Sequence, residues 1–247
     1  MTKRFLKKGA FYIFAFIGAF PFSLPSIAIE KEAEERCTIL RSGMDDLGGV
    51  KIYISDRSLK VQSLNAGTYV VANAPDWRVV LYNPRNNHGL SMSMKEWMVH
   101  KPQWIYLTNP ADDRPFVWTS TQPQPVVYLG RKCVKAYMQR KYKAEPNSRV
   151  YFYTYLPNTN ANDTACKILQ KLADVPIVEG IPIAFGTFDD TQQKVEGIRR
   201  FSTVRIEDRS VPEKFFSYPK NFQARKREAD IASDGTRDKL IEDTFGY

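Results

Sequence analysis

The chain has few of the residues that usually carry catalysis. It holds two histidines, His88 and His100. His88 falls in the turn-forming stretch Asn86-Asn87-His88-Gly89, and His100 follows a Trp-Met-Val run. Neither belongs to a nucleophile or zinc motif, since no Gly-x-Ser-x-Gly and no His-Glu-x-x-His occurs. The adjacent acids Asp189 and Asp190 precede Thr191-Gln192-Gln193 and read as a hairpin turn rather than an acid–base couple. The three cysteines, Cys37, Cys133 and Cys166, have no partner two to four residues away, which excludes the common zinc spacings. We therefore expect no catalytic residue, no metal and no cofactor. The sequence also lacks internal repeats and low-complexity tracts, which excludes solenoids and compositionally disordered linkers.

What is present begins with a leader. Lys3, Arg4, Lys7 and Lys8 precede an apolar stretch at 9–20, and residues 21–28 end in Ser26-Ile27-Ala28. A basic region, an apolar region and small residues at the last and third-last positions make a secretory signal, with cleavage expected after Ala28. The apolar stretch falls short of the roughly 20 residues that a membrane span needs. Ile29 and Glu30 stand where a lipoprotein signal would place a cysteine. The expected location is the periplasm or cell envelope.

Removing the four leader cations takes the formal net charge from +9 to +5. The remaining basic residues are interspersed with acids, as in Arg199-Arg200 and Glu207-Asp208-Arg209. Nucleic acid is not an expected partner; a weak attraction to an anionic membrane surface is compatible with this balance. In an exported protein three cysteines suggest one pair and one free thiol, and Cys133 with Cys166 is the expected disulfide because both fall within ordered elements.

About 219 residues follow the leader, the size of one all-β or α+β domain. The acidic, helix-favouring residues 30–36 predict a first helix or arm within 29–49. The domain proper is expected at 50–231, followed by a polar tail at 232–247 with a short helix at 237–244. Alternating apolar residues predict strands at 50–54, 59–64 and 68–72. The stretch 67–97 reads as three strands with short turns, the last placing Leu90, Met92 and Met94 on one face. Residues 101–124, with Pro102, Pro110, Pro115 and Pro123, read as a long loop or lid.

The β pattern returns at 126–129, 132–142 and 149–156. In the last of these, Val150, Phe152 and Thr154 face one way and Tyr151, Tyr153 and Tyr155 the other. Asp163 is the expected N-cap of a helix at 164–174 that buries Ile168, Leu169 and Leu172. Strands at 180–188 and 194–208, a hook at 211–219 and a last strand at 222–231 complete the reading. The fold class is α+β, mainly antiparallel β.

The hairpins on either side of Trp77, the strand start Gly130-Arg131-Lys132-Cys133-Val134 and the closing Val-Pro-x-x-Phe-x-x-x-Pro hook from Val211 to Pro219 resemble the LolA-like superfamily. That superfamily takes in envelope lipoprotein carriers and receptors, mycobacterial lipid-binding lipoproteins and uncharacterised exported proteins. The resemblance implies a strongly curved antiparallel sheet, an incomplete β-barrel covered by one or two helices and the proline-rich loop. It also implies an apolar cavity that receives acyl chains, so that a lipid or acylated protein is the expected partner.

On that plan Trp77, Leu90, Met92, Met94, Trp97, Val134, Met138, Phe152, Leu169, Ile183 and Phe185 would line the cavity. The other reading is a structural or interaction module whose barrel is filled by its own side chains and whose tyrosine and tryptophan surfaces meet envelope partners. The leader carries its own test: N-terminal sequencing of the exported protein should begin at Ile29, and retention of the apolar stretch at 9–20 would instead make it an anchor.

Overall fold

A computed structural model describes residues 33–44, 48–100, 116–118, 122–140, 150–157, 159–188 and 199–232. The leader, most of the proline-rich loop, the Asp189-Asp190 turn and the tail with its expected helix lie outside the described residues.

Six strands follow one another: β1 (Glu34–Met44), β2 (Gly48–Ile54), β3 (Ser58–Ser63), β4 (Tyr69–Asn73), β5 (Val79–Asn83) and β6 (His88–Met92). After the short helix α1 (Met94–Val99) come β7 (Phe116–Trp118), β8 (Gln124–Tyr128), β9 (Arg131–Arg140) and β10 (Val150–Leu156). Helix α2 (Asp163–Leu172) leads to β11 (Ile181–Phe188) and β12 (Arg199–Pro212). A 3-10 turn (Glu213–Phe216), β13 (Gln223–Ala224) and α3 (Ala229–Ala232) end the described chain.

The thirteen strands among the described residues form one sheet in the order β13-β6-β5-β4-β3-β2-β1-β12-β11-β10-β9-β7, with β8 also paired to β9. The sheet does not close on itself. Every pairing is antiparallel except the two-residue match of β13 to β6. Two meanders, β1 to β6 and β9 to β12, are thus joined by β1 and β12, which pair from Glu34↔Pro212 to Met44↔Phe201.

β1 overturns the expected N-terminal helix or arm. Glu34 to Arg36 favour helix locally, but Thr38, Ile39 and Leu40 pair with β2 on one side and β12 on the other, and that pairing outweighs local propensity. Its two faces go to different cores. Leu40 and Met44 join the main core, whereas Cys37 and Ile39 pack with Tyr53, Val211 and Phe216 on the opposite face.

The main core is one continuous cluster in which strands from both meanders meet Trp97 of α1 and Ala165, Cys166, Ile168, Leu169 and Leu172 of α2. Helix α2 matches the sequence reading, but its N-cap is Asn162, whose side chain accepts from Thr164 N at 2.8 Å; Asp163 is already the first helical residue. The predicted third strand of 67–97 stops at Met92. Ser93 and Glu96 form a reciprocal capping box there, which starts α1 and places Met94 and Trp97 on a helix. The loop at 101–124 is interrupted by β7, which pairs with β9.

The back of the sheet is covered by the hook. The Lys60 ammonium donates to Phe215 O at 2.6 Å and lies 4.2 Å from the Phe215 ring centroid and 5.2 Å from that of Tyr69. Asn73 Nδ2 donates to Phe216 O at 3.1 Å, and Glu213 N to Ala33 O at 3.0 Å. The predicted last strand at 222–231 shrinks to β13, which runs beside the outer edge of β6. Gly89 is required there, because a Cβ at that position would lie 2.5 Å from the Phe222 ring.

Phe216 is 2% exposed and closes the back core over Cys37 and Ile39. Phe216→Ala should cost about 3–5 kcal/mol in urea unfolding, the usual range for deleting a buried phenylalanine. A loss below about 1 kcal/mol would mean that the hook does not seal this face.

Candidate functional site

The residues expected to line an acyl cavity are for the most part packed on one another. Trp97, Leu169, Ile183 and Phe185 are all 0% exposed, and Trp77, Met92 and Met138 are buried in the same cluster. Leu90 and Met94 pack against it half-buried. The Tyr151 ring stacks on Phe185 with centroids 5.5 Å apart, and Tyr153 meets Phe185 edge-on at 6.2 Å.

Phe152 does not share this interior. Its neighbours Tyr151 and Tyr153 turn inward, so strand alternation sends Phe152 to the opposite face, with Lys135 Nζ 5.5 Å from its ring. Val134 pairs with Tyr155 across β9 and β10, which gives it the inward parity, but it is only half-buried near the strand start. Tyr151 and Tyr153 of β10 are therefore core residues, as are Trp77 and Trp97, while Tyr155 packs half-buried against the same cluster. Trp97 Nε1 has no hydrogen-bond partner among the described residues. Gln170, fully buried on α2, was not singled out by sequence; its Nε2 donates to Val178 O at 2.7 Å and Gly180 O at 3.0 Å, fixing the turn into β11.

The expected Cys133–Cys166 disulfide is not formed. All three cysteines are buried free thiols; Cys133 and Cys166 belong to the main core, and Cys37 to the back core. Burial pushes the Cys37 and Cys166 thiols up from the ordinary 9.0 to about 12, nearby acids adding to the shift, and raises Cys133 as well. Thiols held protonated are poor nucleophiles and poor metal ligands.

The two histidines hold the C-terminal segment. His88 Nδ1 lies 2.9 Å from Asp230 O, while Arg225 donates to His88 Nε2 at 2.6 Å. A guanidinium only donates, so in this geometry Nε2 accepts and Nδ1 faces the Asp230 carbonyl as donor. His100 Nε2 is 2.7 Å from the buried Glu228 carboxylate. Among the described residues no group of three or more His, Cys, Asp or Glu is placed to hold a metal ion. Nor is any described helix long and apolar enough to cross a membrane.

A concavity of about 210 Å³ lies where the helix-covered face runs out, between β1, β2 and β12 below and the connection from β10 to α2 above. Sheet register builds its floor, because Thr38 of β1 pairs with Ile54 of β2 on one side and Asp208 of β12 on the other. Leu156, Pro157 and Ala161 supply apolar walls, Thr159 and Asn160 polar ones, and Arg36 and Arg131 two guanidinium groups. Thr38 Oγ1 donates to Asp208 Oδ1 at 3.1 Å, and Arg131 donates to Asp208 Oδ2 at 2.7 Å. None of the residues expected to line an acyl cavity touches this concavity. No local motif announces it, since its residues come from five strands and a loop.

No protein-family model matches the chain, and no curated protein sequence matches it.

The thiols carry a testable consequence. A thiol-specific chromophore should find no reactive cysteine in the native protein and three after unfolding in urea. Unfolded thiols ionise near 9.0 while Cys37 and Cys166 stay protonated to about 12, so the folded state binds more protons between those values. Their contribution is complete below pH 9 and is lost as pH rises toward 12, by up to ~1.4 kcal/mol per pH unit for each thiol. Urea midpoints measured from pH 8 to 11 should fall, and fall less steeply in Cys166→Ala.

Proposed function

We propose that this chain is a non-enzymatic exported protein of the cell envelope, a self-filled sheet-and-helix scaffold that acts through its surface. The observation that supports this reading is the continuous packing of Trp97, Leu169, Ile183 and Phe185 at zero exposure, where the acyl-chamber plan required open volume. Opening a chamber there would strip packed contacts from large side chains, at roughly 2–5 kcal/mol for each residue uncovered. The leader pattern and the absence of nucleophile and metal motifs support export and binding over chemistry.

A lipid-binding reading draws on one local observation. Leu90, Met94 and Met98 are only half-buried around α1, and Val99 is 76% exposed. Lifting α1 would open an apolar slot beside flexible methionine side chains.

Native mass spectrometry with lipid extraction separates the two. The self-filled scaffold should carry no co-purifying lipid and should bind no acyl probe above background. A stoichiometric acyl ligand, lost on Trp97→Arg while the fold persists by circular dichroism, would establish the lipid reading instead.

A further inference from the structure

We propose that the concavity between β1, β12 and the β10–α2 connection binds a small anion, a carboxylate or phosphate group carried on a compact body. This deepens the reading of a surface-acting scaffold by naming the chemistry of one contact.

The charges at the site lead to an anion. Arg36 and Arg131 line it, and Asp208 is the single carboxylate among its described residues. Both oxygens of that carboxylate are engaged, one by the Thr38 hydroxyl and one by Arg131. Asp208 is thus a positioning residue: it holds one N–H of the Arg131 fork and leaves the remaining donors for a ligand. The Arg36 guanidinium, on an exposed residue of the central strand, makes no ion pair or hydrogen bond among the described residues. Two forks and one neutralised acid leave a net positive mouth over an apolar wall, and low-dielectric walls strengthen such a field.

The neutral groups fit the same ligand. The Thr159 hydroxyl oxygen accepts from Ala161 N at 3.3 Å, which leaves its proton free to donate, and Asn160 adds an amide. The Cys37 side chain turns away into the back core, so this stretch of the floor brings no opposing charge. The volume of about 210 Å³ is smaller than the ~300–1,000 Å³ of sites that enclose drug-sized ligands, so the body attached to the anion is small or projects outward.

The test is a titration of the intact mature chain with inorganic phosphate and with acetate, followed by amide chemical shifts. Saturable shifts confined to residues around Thr38, Arg131 and Asn160 are expected, weakened by roughly tenfold or more in Arg36→Gln and in Arg131→Gln. Arg36→Lys should restore only part of the loss, because a point charge replaces a bidentate fork. Asp208→Asn discriminates further. It removes a negative charge, so a mere electrostatic patch would bind phosphate more tightly, whereas loss of Arg131 positioning makes binding weaker.

Vesicles of phosphatidylglycerol against phosphatidylcholine separate the sources of the anion. Binding to the anionic vesicles that is lost in Arg36→Gln assigns a lipid headgroup; phosphate binding without vesicle binding assigns a soluble ligand. If Arg131→Gln does not fold, Arg36→Gln decides alone. Wild-type shifts in Arg36→Gln, or no saturable shift with either anion, overturn the proposal. Lipid extraction probes the interior and anion titration the mouth, so failure of one is not failure of the other.

Discussion

The β1–β12 ladder is the constraint on which everything else depends. It joins residues about 170 positions apart, as in the Thr38–Asp208 pair, and among the described strands it is the link between the two meanders. Without it the main core would divide, since Leu40 of β1 and Phe201 of β12 belong to the same cluster as strands on both sides. Closing so long a loop adds little to the equilibrium cost, about 0.6 kcal/mol for each doubling of length, but such pairings form late. The same ladder places Thr38 opposite Asp208, so the register that unites the sheet also builds the floor of the anion mouth.

Each layer of the protein leaves little surface idle. Helices α1 and α2 cover one face, while the hook, with Phe215 and Phe216, covers the back of the strands around β1. Tyr218 and Phe222 extend that cover over Val71, Val80 and Tyr82. Lys60 shows how closely the hook is fitted: its ammonium loses water, which lowers its pKa, and gains a carbonyl and two aromatic faces in exchange. Polar chemistry is then concentrated where the layers end, at the mouth beside Arg131 and at the histidine contacts with the C-terminal segment.

Much of this architecture was legible in the sequence. Alternation of apolar residues located β2 to β4 and β10, a continuous apolar run located the fully buried β5, and the apolar stripe of Ile168, Leu169 and Leu172 located α2. β1 was hidden by its glutamates, whose local helix preference says nothing about a partner strand 170 residues away. The start of α1 was readable in Ser93-Met94-Lys95-Glu96, a capping-box pattern that the alternation of Leu90, Met92 and Met94 obscured. An inward apolar pattern is also the same for a filled core and for an open chamber, so the packing of Trp97, Ile183 and Phe185 was not legible. Nor was the mouth, which exists only through register.

The short β13 strand has a meaning beyond its two residues. A sheet that does not close leaves a row of unpaired amides and carbonyls along β6, a template onto which another chain could crystallise strand by strand. Gln223 N and Arg225 N donate to Asn87 O and Gly89 O, and Phe222 lies over Gly89, so the first half of that template is occupied by residues 222–225 of the same chain. The clasp withdraws those edge groups from pairing with another strand.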